Sequence, residues 1–506
     1  MTILGGILLT AVSLAAGWLA LWPVRDRLGT RGYHLAAYPT GLLAWPMAVA
    51  LGSLARVGFQ PLPFYALSIG LVFLLARVVR GLEPEPTESR VSVLSFVVWG
   101  STVVGLSAVV SATGITSALY DSLFHFERWG AWLTHTGVLH REIMASYGAL
   151  IPSVHAINRY FGGDWASTPY PVLSLHVAAI FLVAVRDWSR SRVGTTASWL
   201  ITIGTTLLLV TTPRYVHHSV YVHGHMFAAA YLILALYAVQ RAYLEGGRTT
   251  ASPSAGSRLS WLLVAGLASA GVALGRADGI AYMLVPALTA TLVWWDGRHA
   301  KREQLVFLGG AALPVAVVYG SALLQLHFWR AKKLSGKKAT LVLAILAAIG
   351  ITTLWIDKLP GIGSWLRRGK RALISILAIE LAALAALAVL RPTDFLVSTS
   401  NMLANLLSEG GNGHLWYFAI GAVLVSLFYG GQWRDGRWPG YLLFAISQFF
   451  IVAVMVHTAG HPGRLSPNDS FNRVSFHAIP LIFWYVSMVV TSIVAEWTAL
   501  REGRAS

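Results

Sequence analysis

The sequence predicts an all-α polytopic membrane protein, and three observations predict it. The chain of 506 residues is 56% hydrophobic and only 12% charged, its mean hydropathy is +0.63, and its apolar runs have the length of membrane spans, with short basic loops between them. Soluble domains carry about twice that charge. No polar stretch is long enough to hold a core of its own, so 1–506 reads as a single membrane domain. Lys and Arg number 38 against 21 Asp and Glu, a formal charge of +17. Because these charges lie between apolar runs, they argue for loops at a membrane and against nucleic acid as a partner. The absence of cysteine excludes disulfides, thiolate metal sites and cysteine nucleophiles. With no phosphate-binding loop after a strand and no large polar module, neither ATP-driven transport nor a cytosolic nucleotide-sugar site is supported.

The elements follow from hydrocarbon thickness: a helix needs about 20 apolar residues to cross a layer of about 30 Å, and about fifteen windows qualify. They are 3–22, 34–55, 62–79, 92–113, 170–185, 197–213, 224–240, 260–275, 279–295, 305–328, 340–356, 372–390, 415–430, 440–457 and 475–496. The expectation is a bundle of about 13–15 transmembrane helices. The first window has no basic segment before it and is followed by Arg25, Arg27 and Arg31, which reads as a retained span with an external N-terminus. The region 260–295 also fits a hairpin of two short helices around Arg276, Ala277, Asp278 and Gly279.

Placing the long segment 114–169 outside puts most of the 38 basic residues in cytoplasmic loops, as the positive-inside rule requires. One stretch breaks that pattern: Arg330, Lys332, Lys333, Lys337 and Lys338 fall outside, which implies either a miscounted helix or an anionic partner on the outer face. Most of the 16 histidines also fall outside, among them His125, His155, His217, His218, His223, His225, His457 and His477. A solvated surface has no need of so many.

The segment 114–169 is patterned yet too polar to span. Leu123, Phe126, Trp129 and Leu133 recur at helical spacing, and Ile143, Tyr147, Leu150, Ile151, Val154, Ile157 and Phe161 form a second stripe with His155 and Arg159 off it. Both predict amphipathic helices lying in the plane of the membrane surface. The stretches 81–90 and 245–258 read as polar linkers. Glu380, midway along an apolar run, is an ionisable group at bilayer depth and so either a functional group or one buried against a polar partner.

The sharpest chemical signal is Asp121 with His125 four residues on, where the fourth span leaves the membrane. A carboxylate there could take a proton from an arriving hydroxyl, and a helix would put His125 on the same face. Asp121 serves equally as a helix N-cap. Four histidines in nine residues, His217, His218, His223 and His225, sit at another membrane exit. Substrate contact, a structural role and a divalent metal held by His223 and His225 with Asp121 or Glu127 are all open there.

An acid followed by a histidine at the entry to a long external loop of interfacial helices resembles the GT-C class of membrane glycosyltransferases. The likeness covers 92–496, with 1–91 as extra N-terminal helices and 114–169 as the external loop. It implies a GT-C-like helical bundle and transfer, with inversion, of a sugar from a polyprenyl-phosphate donor to a lipid, polysaccharide or protein acceptor on the extracytoplasmic face. It makes Asp121 the catalytic base. Gly275, Arg276, Ala277, Asp278 and Gly279 look like the Arg-x-Asp-Gly turn of such enzymes, or else a tight turn with an internal ion pair. Arg473, near His477 and Pro480 at the entry to the last span, resembles the family's phosphate-binding arginine; interfacial anchoring is the alternative. Lys332, Lys333 and Arg214 are further candidates for the phosphate, and His125, Glu127, His223, His225, Asp278 and His477 for substrate contact. Where the family often carries a second acid, this chain has His223 or His225. The rival readings are a polysaccharide polymerase or O-antigen ligase, and a lipid or solute transporter. The richness in Ala, Gly and Arg points to a bacterial inner membrane, with membrane lipids as constant partners.

Overall fold

A computed structural model describes residues 2–83, 91–116, 126–139, 148–163, 166–246, 257–276, 278–295, 300–329, 369–409, 415–429, 438–460, 462–465 and 474–501. These residues are mostly helical, joined by short turns, with no strand among them. The chain forms two compact units, one of 1–174 with 219–368 and the other of 175–218 with 369–506.

The first unit begins with α1 (Thr2–Leu21), a single 3-10 turn at Trp22–Val24, and α2 (Arg25–Ala55). They are followed by α3 (Pro61–Leu82), α4 (Val93–Thr113), α5 (Arg128–Thr136) and α6 (Leu150–Tyr160). Two helices cross between units along the chain, α7 (Pro169–Ser189) and α9 (Pro213–Val220), with α8 (Thr195–Thr211) between them. The first unit resumes with α10 (His225–Gly246), α11 (Arg258–Gly275), α12 (Gly279–Tyr282), α13 (Leu284–Trp295) and α14 (Ala300–Trp329). The second unit holds α15 (Gly369–Leu390), α16 (Pro392–Ala404), α17 (Leu415–Tyr429), α18 (Trp438–Gly460) and α19 (Ile479–Arg501).

Among the described residues nine stretches are long and apolar enough to cross a membrane, or up to 11 if each of two bent helix pairs counts as one span. One of the nine, Ile3–Ala55, is itself an antiparallel hairpin. A Cβ on Gly17 would lie 1.7 Å from the Ala37 carbonyl oxygen, and one on Gly41 1.7 Å from that of Ser13. Backbone therefore rests on backbone, the packing that small residues permit where lipid gives no hydrophobic drive between helices. The same device joins α11 to α14, with Gly266 against the Phe307 carbonyl and Gly310 against that of Leu263. The outward faces are apolar: Leu67, Leu74 and Val78 of α3, Val93 and Val97 of α4, and Leu200, Ile203 and Leu207 of α8 are exposed. A helix that is greasy where it is uncovered has lipid as its solvent.

Several expectations change. The stripe through Leu150 and Ile157 does form a helix, but α6 does not lie on a surface: every residue from Leu150 to Asn158 is buried. Its polar side is turned into the protein because Glu127 receives His155 and Arg159 there. The stretch after Thr212, read as a loop, is the helix α9, bent 65° from α8. Apolar helix also continues past the predicted span 372–390, because α16 follows α15 across a 118° bend at Arg391 and Pro392. Ser398, Thr399, Ser400 and Asn401 dilute its hydropathy, which is why no window marked it. The window 340–356 lies outside the described residues.

The helices of the first unit alternate in direction, so its two ends gather opposite termini. At one end Arg27, the start of α11 and the residue after α3 meet: the Arg27 guanidinium donates to a Glu83 carboxylate oxygen at 3.3 Å and to the Glu83 carbonyl at 3.1 Å. The Ser260 amide donates to the other Glu83 oxygen at 3.0 Å, and its hydroxyl donates to the carboxylate too. Burial pushes the Glu83 carboxyl above the usual carboxylate range, while the Ser260 hydrogen bonds and Arg27 pull it back. Arg258 and Glu303 pair at 2.9 Å nearby along the same helices.

Candidate functional site

The opposite end of the first unit gathers the residues that the sequence marks for chemistry. Glu127 precedes α5 and faces α6, where its carboxylate meets the His155 Nδ1 at 2.9 Å and the Arg159 Nε at 2.7 Å. The other nitrogen of His155 lies 3.2 Å from the Tyr170 hydroxyl at the start of α7. His155 and Tyr170 are fully buried. An imidazole held between a carboxylate and a phenol has a fixed orientation: with Nδ1–H donated to Glu127, Nε2 accepts the phenolic proton. Gly130 lets α5 approach this far, since a Cβ there would lie 2.7 Å from the His155 Cβ.

A second group rests against the first. His223 and His225 stack face to face, 4.2 Å between ring centroids and 4° between planes, with Tyr221 on the far side of His223 at 5.5 Å. Phe126 meets His223 edge-on at 5.4 Å, and Phe227 meets Tyr170 at 5.3 Å. Arg276 donates Nη1 toward His225 at 3.2 Å. Its Nε and Nη2 donate to the two Asp278 oxygens at 2.8 and 3.3 Å. Gly279 closes the turn by donating to the Arg276 carbonyl at 3.1 Å. The tight turn with an internal ion pair is present at Arg276–Gly279, and the same arginine also reaches His225.

Gly148 sets the distance between these groups. Its φ is +73°, and a Cβ there would lie 2.5 Å from the Leu274 carbonyl and 2.8 Å from the Arg276 amide. Gly224 is confined in the same way, with a Cβ placed 2.6 Å from the Ile151 side chain. The charges match pairwise, Arg159 with Glu127 and Arg276 with Asp278. The arginine side chains keep 34% and 18% exposure respectively.

Of the predicted site residues, Glu127, His223, His225, Arg276 and Asp278 come together here. Asp121, His125, Lys332, Lys333 and Arg473 lie outside the described residues. Arg214 and His477 belong to the second unit: Tyr215, beside Arg214, packs on Phe476 at 6.1 Å, and Phe476 lies 4.4 Å from His218. His477 is buried, 6.0 Å from Phe449. The sequence did not single out Tyr170, and it put His155 off the buried stripe; a histidine and an arginine four apart, His155 and Arg159, opposite one glutamate were the available sign. Of the metal set His223, His225 and Asp121, the aspartate lies outside the described residues. Among the described residues no three His, Asp or Glu side chains are arranged to hold an ion, and Glu127 is engaged by His155 and Arg159.

No protein-family model, curated protein or solved structure matches this chain.

Proposed function

We propose that this protein is a membrane-embedded transferase of the GT-C kind, moving a sugar from a polyprenyl-phosphate donor to an acceptor hydroxyl. The observation that carries the reading is the convergence, at one end of a helical membrane unit, of an exposed-edged Arg276, its partner Asp278 and the His223–His225 stack. They adjoin the helix α5, whose lead-in segment contains Asp121. In the reaction the acceptor oxygen attacks the anomeric carbon from the face opposite the phosphate. The anomeric C–O bond breaks with its electron pair leaving on the phosphate, and the acceptor proton passes to the Asp121 carboxylate. Arg276 offsets the charge developing on the phosphate, which is where most of the acceleration arises. His223 and His225 present ring edges for sugar hydroxyls or phosphate oxygens.

Asp121→Asn tests the base directly. In proteoliposomes supplied with polyprenyl-phosphate sugars and a hydroxyl acceptor, transfer falls about 10²–10⁴-fold. Undiminished transfer removes Asp121 from the mechanism.

A second reading, a lipid or solute transporter, draws support from the two bent helix pairs and from Glu380 within a span, since broken helices and charges in the membrane mark transporters. Counterflow of a labelled lipid or solute through the same proteoliposomes, with no new glycosidic bond formed, favours that reading over transfer.

A further inference from the structure

The second unit carries a carboxyl that the proposed transfer reaction does not use. Glu380 is the twelfth residue of the 22-residue helix α15, half-buried, with Leu377, Ile379 and Leu381 exposed around it. Its hydrogen-bond partner among the described residues is Gln448 of α18, whose side-chain Nε2 donates to the Glu380 Oε2 at 2.7 Å. Gln448 is fully buried, and its own Oε1 takes no hydrogen bond.

That arrangement is half of a reciprocal pair. A carboxylate only accepts, so an ionised Glu380 uses the amide N–H and leaves the amide oxygen without a donor. A carboxylic acid has one O–H to give. Protonated, Glu380 donates that hydrogen to the Gln448 Oε1 while its other oxygen accepts from Nε2, so a small rotation of the two planar groups satisfies all four atoms. An ionised carboxylate beside exposed apolar side chains would bear the desolvation cost, and among the described residues no cation stands beside it to offset that cost. The charged and titratable groups on the helices packed against α15 stand toward the helix ends. Among the described residues of α16 it is Asp394, beyond the bend, paired with Arg391 just before the helix, which stands eleven residues or about 16 Å along α15 from Glu380. On α18 they are Tyr441 and His457, about 10 and 13 Å along the axis from Gln448. Lys370 and Arg371 begin α15 itself.

We propose that Glu380 and Gln448 form a neutral acid–amide pair, a proton-binding site inside the membrane-spanning part of the second unit and a target for apolar carbodiimides. The labelling step balances as an addition. The carboxyl proton passes to a carbodiimide nitrogen, the carboxylate oxygen bonds to the central carbon, and rearrangement of that adduct leaves a stable N-acylurea with no atom lost. The site stands independently of the transfer reaction.

Full-length protein in lipid vesicles, treated with dicyclohexylcarbodiimide at neutral pH and digested for mass spectrometry, is expected to carry the whole reagent on Glu380. A water-soluble carbodiimide leaves that residue unmodified, and raising the pH lowers the yield as the proton is lost. Infrared spectra supply the second measurement: a protonated-carboxyl carbonyl stretch present in the native protein disappears in Glu380→Gln, which keeps the pairing through an amide and so keeps the fold. In Gln448→Leu the same band moves to the frequency of an acid with no acceptor. Labelling by the water-soluble reagent, or native and Glu380→Gln spectra that differ only in carboxylate bands, overturns the proposal. Transfer activity that survives Glu380→Gln leaves the pair intact as a proton site, so its fate and that of the transferase reading are read separately.

Discussion

The two ends of the first unit hold their charges in different ways. At the Glu83 end, side chains 4% and 2% exposed meet each other and the Ser260 amide, all on the termini of long helices. At the Glu127 end, the groups come from the short helices α5 and α6 and from the termini of α7, α10 and α11, ring contacts join the hydrogen bonds, and both arginines are partly exposed. Both ends are polar clusters on one bundle, and they differ in the arginine at the centre of each: Arg27 is 4% exposed, whereas Arg159 and Arg276 keep 34% and 18%. Polarity by itself is therefore a poor guide to a site; what separates the two is how completely the central Arg27–Glu83 pair is enclosed, since Arg258 beside it is as open, at 17%, as Arg276.

Substitutions can break that contrast, beginning with the largest effect. Glu83→Ala strands a buried guanidinium and is expected to cost about 3–5 kcal/mol of stability, read as a fall in the thermal unfolding midpoint in detergent. Glu83→Gln costs less, because burial already pushes that carboxyl toward the neutral form that an amide imitates. Arg276→Gln leaves stability nearly unchanged while transfer drops about 10²–10³-fold, the size of losing one charged stabiliser of a leaving group. If the unfolding midpoint falls instead and the rate per folded molecule does not, the two ends are alike and the distinction fails.

Smaller effects sharpen it. His155→Leu leaves a Glu127 oxygen and the Tyr170 hydroxyl without their shared partner, for about 1–3 kcal/mol at each group. Tyr170→Phe removes one neutral hydrogen bond, about 0.5–1.5 kcal/mol. Arg159→Gln, at a pair one-third open to solvent, is worth about 0–1 kcal/mol and shrinks further in high salt. A double-mutant cycle on Arg159 and Glu127 that returned a coupling as large as one on Arg27 and Glu83 would contradict the reading of one end as open and the other as enclosed.

The long spans were legible because a hydrocarbon layer imposes length and polarity on any helix that crosses it. The boundaries of α3, α4 and α11 accordingly fall within a few residues of the apolar windows. Residues clustered in sequence, such as His223 with His225 and Arg276 with Asp278, announced themselves by spacing. What stayed hidden depended on a partner far along the chain. The polar side of α6 reads as water-facing until Glu127 is placed 28 residues away from His155 to meet it. Tyr170 reads as an ordinary interfacial aromatic until His155 lies against its hydroxyl. The bend at Pro392 reads as an end, since a proline that starts a helix and one that follows a helix look the same in sequence.

The first unit is interrupted in sequence by residues 175–218, and this bears on how the protein is made. Arg159, Glu127, His155 and Tyr170 all precede the interruption, whereas Tyr221, His223, His225, Arg276 and Asp278 all follow it. Each stretch thus leaves the ribosome with its ionic partners already within itself. The contacts between them include ring contact and close glycine packing, Phe126 on His223, Tyr170 on Phe227 and Gly148 under Arg276. The matched pair of Glu127 and Arg159 needs nothing from the later stretch, so the earlier stretch brings no unpaired charge of this pair to the bilayer.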